Sequence, residues 1–80
     1  MSEELRPYDP KRFGAAIKRR RKALDLTQEQ LAGLLGITHG YVSQLERGRL
    51  VEITWSFLQR YAEQLKMPVE QLMEEGGVPS

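Results

Sequence analysis

Residues 26–48, LTQEQLAGLLGITHGYVSQLERG, decide the fold. Thr27 and Gln30 are spaced as a capping box, in which the hydroxyl accepts from a backbone N–H of the first turn and the Gln side chain reaches back. A helix over residues 28–35 follows, with Leu31, Ala32, Leu34 and Leu35 as its buried face. Gly36 supplies the left-handed residue that ends it, and Thr38 caps a new helix almost at once. That next helix turns Val42 and Leu45 inward and stops before Gly48. Two short helices joined by a turn this tight have the length and punctuation of a helix-turn-helix.

Working outward, Asp9-Pro10 pairs an N-cap with a residue suited to the first helical turn, and Phe13, Ala16, Ile17 and Leu24 repeat at helical spacing, so a first helix spans residues 10–24. Asp25-Leu26 interrupts it. Beyond the connection at 49–53, Thr54 caps a fourth helix whose Trp55, Leu58, Tyr61, Ala62 and Leu65 share a face to residue 66. Pro68 opens a short fifth helix through Val69, Leu72 and Met73. No stretch alternates with period two, which predicts an all-α, compact bundle of about five short helices. The domain is expected over residues 10–73, between a flexible N-terminal arm (1–9) and a flexible C-terminal tail (74–80) of low apolar content.

Eighty residues fit one small domain, which excludes two-domain enzymes. The chain has no cysteine and one histidine, His39, so disulfides, thiolate metal sites and multi-histidine clusters are excluded, and no cofactor or metal is expected. Its apolar runs fall far short of the roughly 18 residues that span a bilayer, and the acidic start is unlike a signal peptide; the expectation is a cytoplasmic protein without membrane contact. The formal charge is only +1, but it is polarised. Lys11, Arg12, Lys18, Arg19, Arg20, Arg21 and Lys22 lie together with no acid among them, whereas acids outnumber bases after residue 50. Such a run is either a solvated face or an interaction patch.

Helical geometry sorts the third helix. Advancing about 100° per residue from Val42 keeps Leu45 and Glu46 near the inward side and places Gly40, Ser43, Gln44 and Arg47 together on the outward side. In a helix-turn-helix this outward side enters the major groove. The Gln44 amide can pair bidentately with adenine, Ser43 and His39 donate or accept less exclusively, and Arg47 can grip phosphate or guanine. Gly40 either lets the backbone approach a duplex closely or is a tolerated surface glycine.

The segments Ile17-Lys18-Arg19-Arg20-Arg21, Leu26-Thr27-Gln28-Glu29-Gln30-Leu31-Ala32, Leu35-Gly36-Ile37-Thr38 and Val42-Ser43-Gln44-Leu45-Glu46-Arg47-Gly48 resemble, in this order, the lambda repressor and Cro-like (XRE) family of bacterial helix-turn-helix regulators. The resemblance covers residues 13–73. It implies a lambda repressor-like DNA-binding domain in which Gln28 and Thr38 touch phosphate, His39, Gly40, Ser43 and Gln44 face base edges, and Arg21 pairs with Glu46. With Lys18, Arg19, Arg21, Arg47 and Arg49 neutralising phosphates, the expected function is sequence-specific double-stranded DNA binding by a transcriptional repressor. Departures are His39-Gly40-Tyr41, where relatives carry small polar residues, and Leu50-Val51-Glu52-Ile53, where they carry a polar, proline-containing connection. The stem of Arg20, on a face where many relatives are apolar, is expected to snorkel to the rim.

The apolar connection suggests a homodimer on a palindromic operator, with Leu50, Val51, Ile53, Trp55 and Phe57 as interface candidates. Trp55, Phe57 and Tyr61 as a stacking platform for single strands are disfavoured by their helical spacing, which suits packing. His39 as a catalytic base lacks a neighbouring nucleophile or carboxylate, so no enzyme is expected. The alternative function is an antitoxin or anti-repressor module whose main ligand is another protein; such a module would usually need an extended segment beyond the core, and residues 74–80 are short for one.

Overall fold

The computed structural model describes residues 9–50 and 53–79, in which α1 (Pro10–Ala23), α2 (Gln28–Leu35), α3 (His39–Glu46), α4 (Trp55–Gln64) and α5 (Val69–Gly76) surround one core. None of the five exceeds fourteen residues. Helices this short are marginal in isolation, so tertiary contact must hold them. α1 packs on α3 and α5, α2 on α3 and α4, and α4 on α5. Phe13, Ile17, Leu31, Val42, Leu58, Tyr61, Leu65 and Leu72 are essentially sealed from water at their centre. Leu34, expected on the buried face of α2, is instead half exposed. No helix among the described residues is long and apolar enough to cross a membrane.

Side-chain hydroxyls of Thr27, Thr38 and Thr54 cap α2, α3 and α4, and the Asp9 carboxylate caps α1. At the other ends all five helices close in one way. Asp25, Gly36, Gly48, Lys66 and Gly77 take left-handed φ between 56° and 74°. The next N–H in each case (Leu26, Ile37, Arg49, Met67, Val78) donates to the carbonyl five residues back. This is the Schellman closure. Arginines from neighbouring segments satisfy further terminal carbonyls: Arg20 bonds Leu65 and Lys66 at 2.8 and 2.9 Å, Arg12 bonds Glu74 and Glu75, and Arg60 bonds Leu35. Each places a cation at the negative end of a helix.

Two expectations need correction. α5 runs to Gly76, and Val78, 5% exposed, joins the core, so this stretch belongs to the domain and not to a flexible tail. The glycines that lowered its apolar content have steric work there: a Cβ on Gly76 would strike the Phe13 ring, and Gly77 provides the left-handed closure. Ile53 is 3% exposed within the core, which removes it from any surface for a second subunit. Phe57, half-buried like Trp55, stacks on Tyr61, faces Tyr41 across 6.3 Å and carries the Arg60 guanidinium at 5.7 Å, the packing that its helical spacing suits. Leu50 and Trp55 are half-buried against the core, and Val51 lies outside the described residues.

Arg21 and Glu46 form the ion pair at 2.6 Å, with side chains only 9% and 3% exposed. The hydrogen bonds that Arg21 donates to Glu46 raise the Arg21 pKa, burial opposing them and the carboxylate charge adding to them. A raised pKa on a cation gives stability that is present below the unfolded value and lost only as pH climbs through the folded one, so this contribution is constant across neutral pH.

Glu46→Ala strands a buried guanidinium and should lower unfolding stability by about 3–5 kcal/mol, with Arg21→Met/Glu46→Leu recovering much of it; urea denaturation giving a loss below about 1 kcal/mol would mean the pair acts like a surface bridge. Gly14→Ala should destabilise by about 1–3 kcal/mol, because its Cβ would press on the Leu45 carbonyl oxygen and sit 2.9 Å from that of Glu46. Gly33→Ala, with nothing within 4 Å, should instead stabilise by about 0.5–1 kcal/mol, and the opposite signs are measurable in parallel thermal melts.

Candidate nucleic-acid interface

Gly36, Ile37 and Thr38 make the whole connection between α2 and α3. Gly36 adopts the left-handed conformation, Ile37 packs on the core, and the Thr38 hydroxyl accepts from Tyr41 N–H at 3.1 Å. Val42 and Leu45 anchor α3, 0% and 3% exposed, which turns its other face outward. On that face His39, Gly40, Gln44 and Arg47 are exposed and Ser43 is half-buried. Gly40 answers no internal packing demand, since a Cβ there would meet only the Thr38 hydroxyl at 3.9 Å.

The basic residues divide by what they touch. Arg12, Arg20, Arg21 and Arg60 are committed to helix ends or to Glu46. Arg20 reaches the rim as its stem position suggests, but its guanidinium binds carbonyls of the protein itself. Arg21 is buried, with its Nε, Nη1 and Nη2 all donating inside the fold, so the geometry gives it a structural role and no phosphate-facing surface. Arg19 lies 4.0 Å from Glu75, on the edge of α1 turned to α5 and away from α3. Lys18 and Arg49 are exposed, as is Arg47, and none of the three forms an ion pair among the described residues.

Lys11 and Lys22, two members of the basic run not singled out for phosphate, line up with Lys18 in the structure. Lys11, Lys18 and Lys22 fall within about 40° of one line on α1, by the turn of about 100° per residue. Lys11 packs against Gly48 in the turn after α3, where a glycine Cβ would lie 2.8 Å from the Lys11 side chain, so this row starts beside Arg47 and Arg49. Seven-residue spacing between Lys11 and Lys18 was the available signal.

A hydrogen-bond chain links the core to the tip of α3. Glu46 accepts from Arg21 Nε and Nη2 at 2.6 and 3.0 Å and from Gln28 Nε2 at 3.0 Å. Gln28 Oε1 in turn meets His39 Nε2 at 2.9 Å. Both ends of the Gln28 amide are thus engaged within the protein, and the side chain expected on phosphate braces α3 against α2.

Comparison with known proteins agrees with this architecture. The model of the family described as "Helix-turn-helix domain" matches residues 12–75. The ImmF control region 10 kDa protein of Bacillus phage phi105 is 40% identical over 76 residues, covering 86% of this chain and 83% of the phage protein. Among solved structures, the restriction-modification controller protein C.AhdI of Aeromonas hydrophila is 31% identical with a TM-score of 0.73, covering 80% of this chain and 96% of that one. SinR, a master regulator for biofilm formation crystallised in complex with DNA, is 28% identical with a TM-score of 0.70 over 76% of this chain and 97% of its own. With its two central helices, their turn and the flanking helices all accounted for, this chain belongs to the helix-turn-helix family, in its lambda repressor and Cro-like (XRE) branch.

Proposed function

We propose that the chain is a sequence-specific regulator of transcription, a repressor that binds double-stranded DNA by laying α3 in the major groove. The observation that carries this reading is the exposed polar face of α3, in which Gln44 stands opposite the anchoring Val42 and Leu45. A glutamine amide matches the donor and acceptor that adenine presents in that groove. Ser43 and His39 lie to one side of it around the helix, and Gly40 allows the backbone close to the bases. Thr38, whose hydroxyl oxygen accepts within the cap, retains its proton for a phosphate oxygen. Lys11, Lys18, Lys22, Arg47 and Arg49 supply charge to the rails on either side. SinR, related in fold and sequence, was crystallised with DNA, which supports the same ligand class here.

A body of 31 × 23 × 22 Å covers one half-site. A homodimer reading a palindrome with half-sites about 34 Å apart would give the affinity one module lacks. Leu50, Trp55 and Phe57 remain the interface candidates, with Val51 next to Leu50 in sequence. The working location is the cytoplasm, on the nucleoid when DNA is bound.

Selection from a random duplex pool followed by titration tests the reading. Gln44→Ala should weaken the selected site by about 1–3 kcal/mol and leave random DNA unchanged. Lys18→Ala should weaken both alike and reduce the slope of log affinity against log salt by about one. Equal losses on both duplexes for Gln44→Ala would remove it from base reading, and an enriched pool without inverted symmetry would remove the dimer.

A further inference from the structure

The hydrogen-bond chain from Arg21 to His39 has a direction. A carboxylate has no proton to give, and both Glu46 oxygens already accept from Arg21, so the group Gln28 turns toward Glu46 has to be its amide NH2. That fixes the Gln28 carbonyl oxygen toward His39. A carbonyl only accepts, and therefore His39 Nε2, 2.9 Å away, has to carry the proton. In the neutral ring the remaining nitrogen, Nδ1, is then a bare acceptor. Among the described residues, Gln28 is the one hydrogen-bond partner of this ring, which is exposed at the first position of α3.

We propose that the buried Arg21–Glu46 pair, acting through Gln28, sets the hydrogen-bond polarity of His39 and makes its Nδ1 an acceptor that selects an exocyclic amino group: adenine N6 or cytosine N4. The inference rests on α3 lying in the major groove. Guanine and thymine present only acceptors at the corresponding positions and are rejected. Gln28 is a positioning residue here, since it acts on the base through His39. A histidine free to change tautomer, or doubly protonated, would instead donate to guanine N7 or O6.

The test uses the full chain on the operator selected from random DNA. His39→Ala identifies the base pair in question as the one whose discrimination it erases. At that pair, replacing adenine by purine, which lacks the N6 amino group, or cytosine by an analogue lacking N4, should weaken binding about three- to tenfold, while 7-deazaadenine should bind as adenine does. Gln28→Leu should flatten the preference at this pair and leave the preference at the Gln44 pair intact, which a general loss of fold or docking would not do. Imidazole 15N shifts of the wild-type chain give a second readout and should show Nε2 protonated and Nδ1 bare. Guanine preferred at the His39 pair, a loss with the 7-deaza base, a Gln28→Leu variant with unchanged discrimination, or a protonated Nδ1 would each overturn the inference. Those results leave the Gln44 preference standing, whereas failure to select any sequence would remove the proposed function itself.

Discussion

Removing a charge from water is expensive, and this small domain buries two of them side by side. The Arg21 and Glu46 side chains meet through two hydrogen bonds, and a third arginine donor takes the Leu26 carbonyl. Because desolvated charges tolerate no vacant partner, these contacts dictate where three segments sit: α1, the entry to α2 and the last turn of α3. Gly14, about two helical turns away on the same face of α1, lets the α1 backbone approach the carbonyls that end α3. Apolar packing alone would favour many arrangements of such short helices. The ion pair admits far fewer.

The second constraint is arithmetic of helix ends. A bundle of five short helices has many terminal carbonyls in proportion to its core, and each left dry and unpaired is destabilising. Repeated Schellman closures and arginines aimed at helix termini answer that constraint with the side chains that give the first half of the molecule its positive charge. Net or local charge therefore overstates what is presented to a polyanion. Arg12, Arg20 and Arg21 sit in the most basic run of the chain, yet their hydrogen bonds run to carbonyls and a carboxylate of the same protein.

Most of the fold is legible in residues whose local chemistry has one solution. Thr27 with Gln30, Thr38, Thr54, Gly36 and Gly48 announce helix boundaries, and the structure has them where those residues stand. Asp25 and Lys66 perform the same left-handed closure without a glycine, so the sequence carries no comparable mark there. Gly76 and Gly77 carry a mark that composition hides, because two glycines near a terminus look like a loss of structure when one is a contact and the other a cap. The outward face of α3 follows from the 3.6-residue turn once Val42 and Leu45 are inside. What periodicity does not encode is partnership across the fold: that Arg19 looks to Glu75, that Lys11 reaches the turn at Gly48, and that Ile53 is core where Thr54 beside it is half-buried.

Partnership also decides what an exposed side chain can say to a ligand. Gln44, exposed and without a side-chain hydrogen bond among the described residues, offers both halves of its amide to the outside. His39 is different, since one of its nitrogens is already in use. A histidine in isolation is ambiguous between donor and acceptor, and only its bonded neighbours settle which it is. The neighbours here end in a buried charge pair that cannot reverse its sense without stranding Arg21. Stability and selectivity then share an origin: the contact that holds α1, α2 and α3 in one geometry also orients the hydrogen-bonding groups at the tip of α3, so substitutions well behind the surface can alter which bases are accepted without touching them.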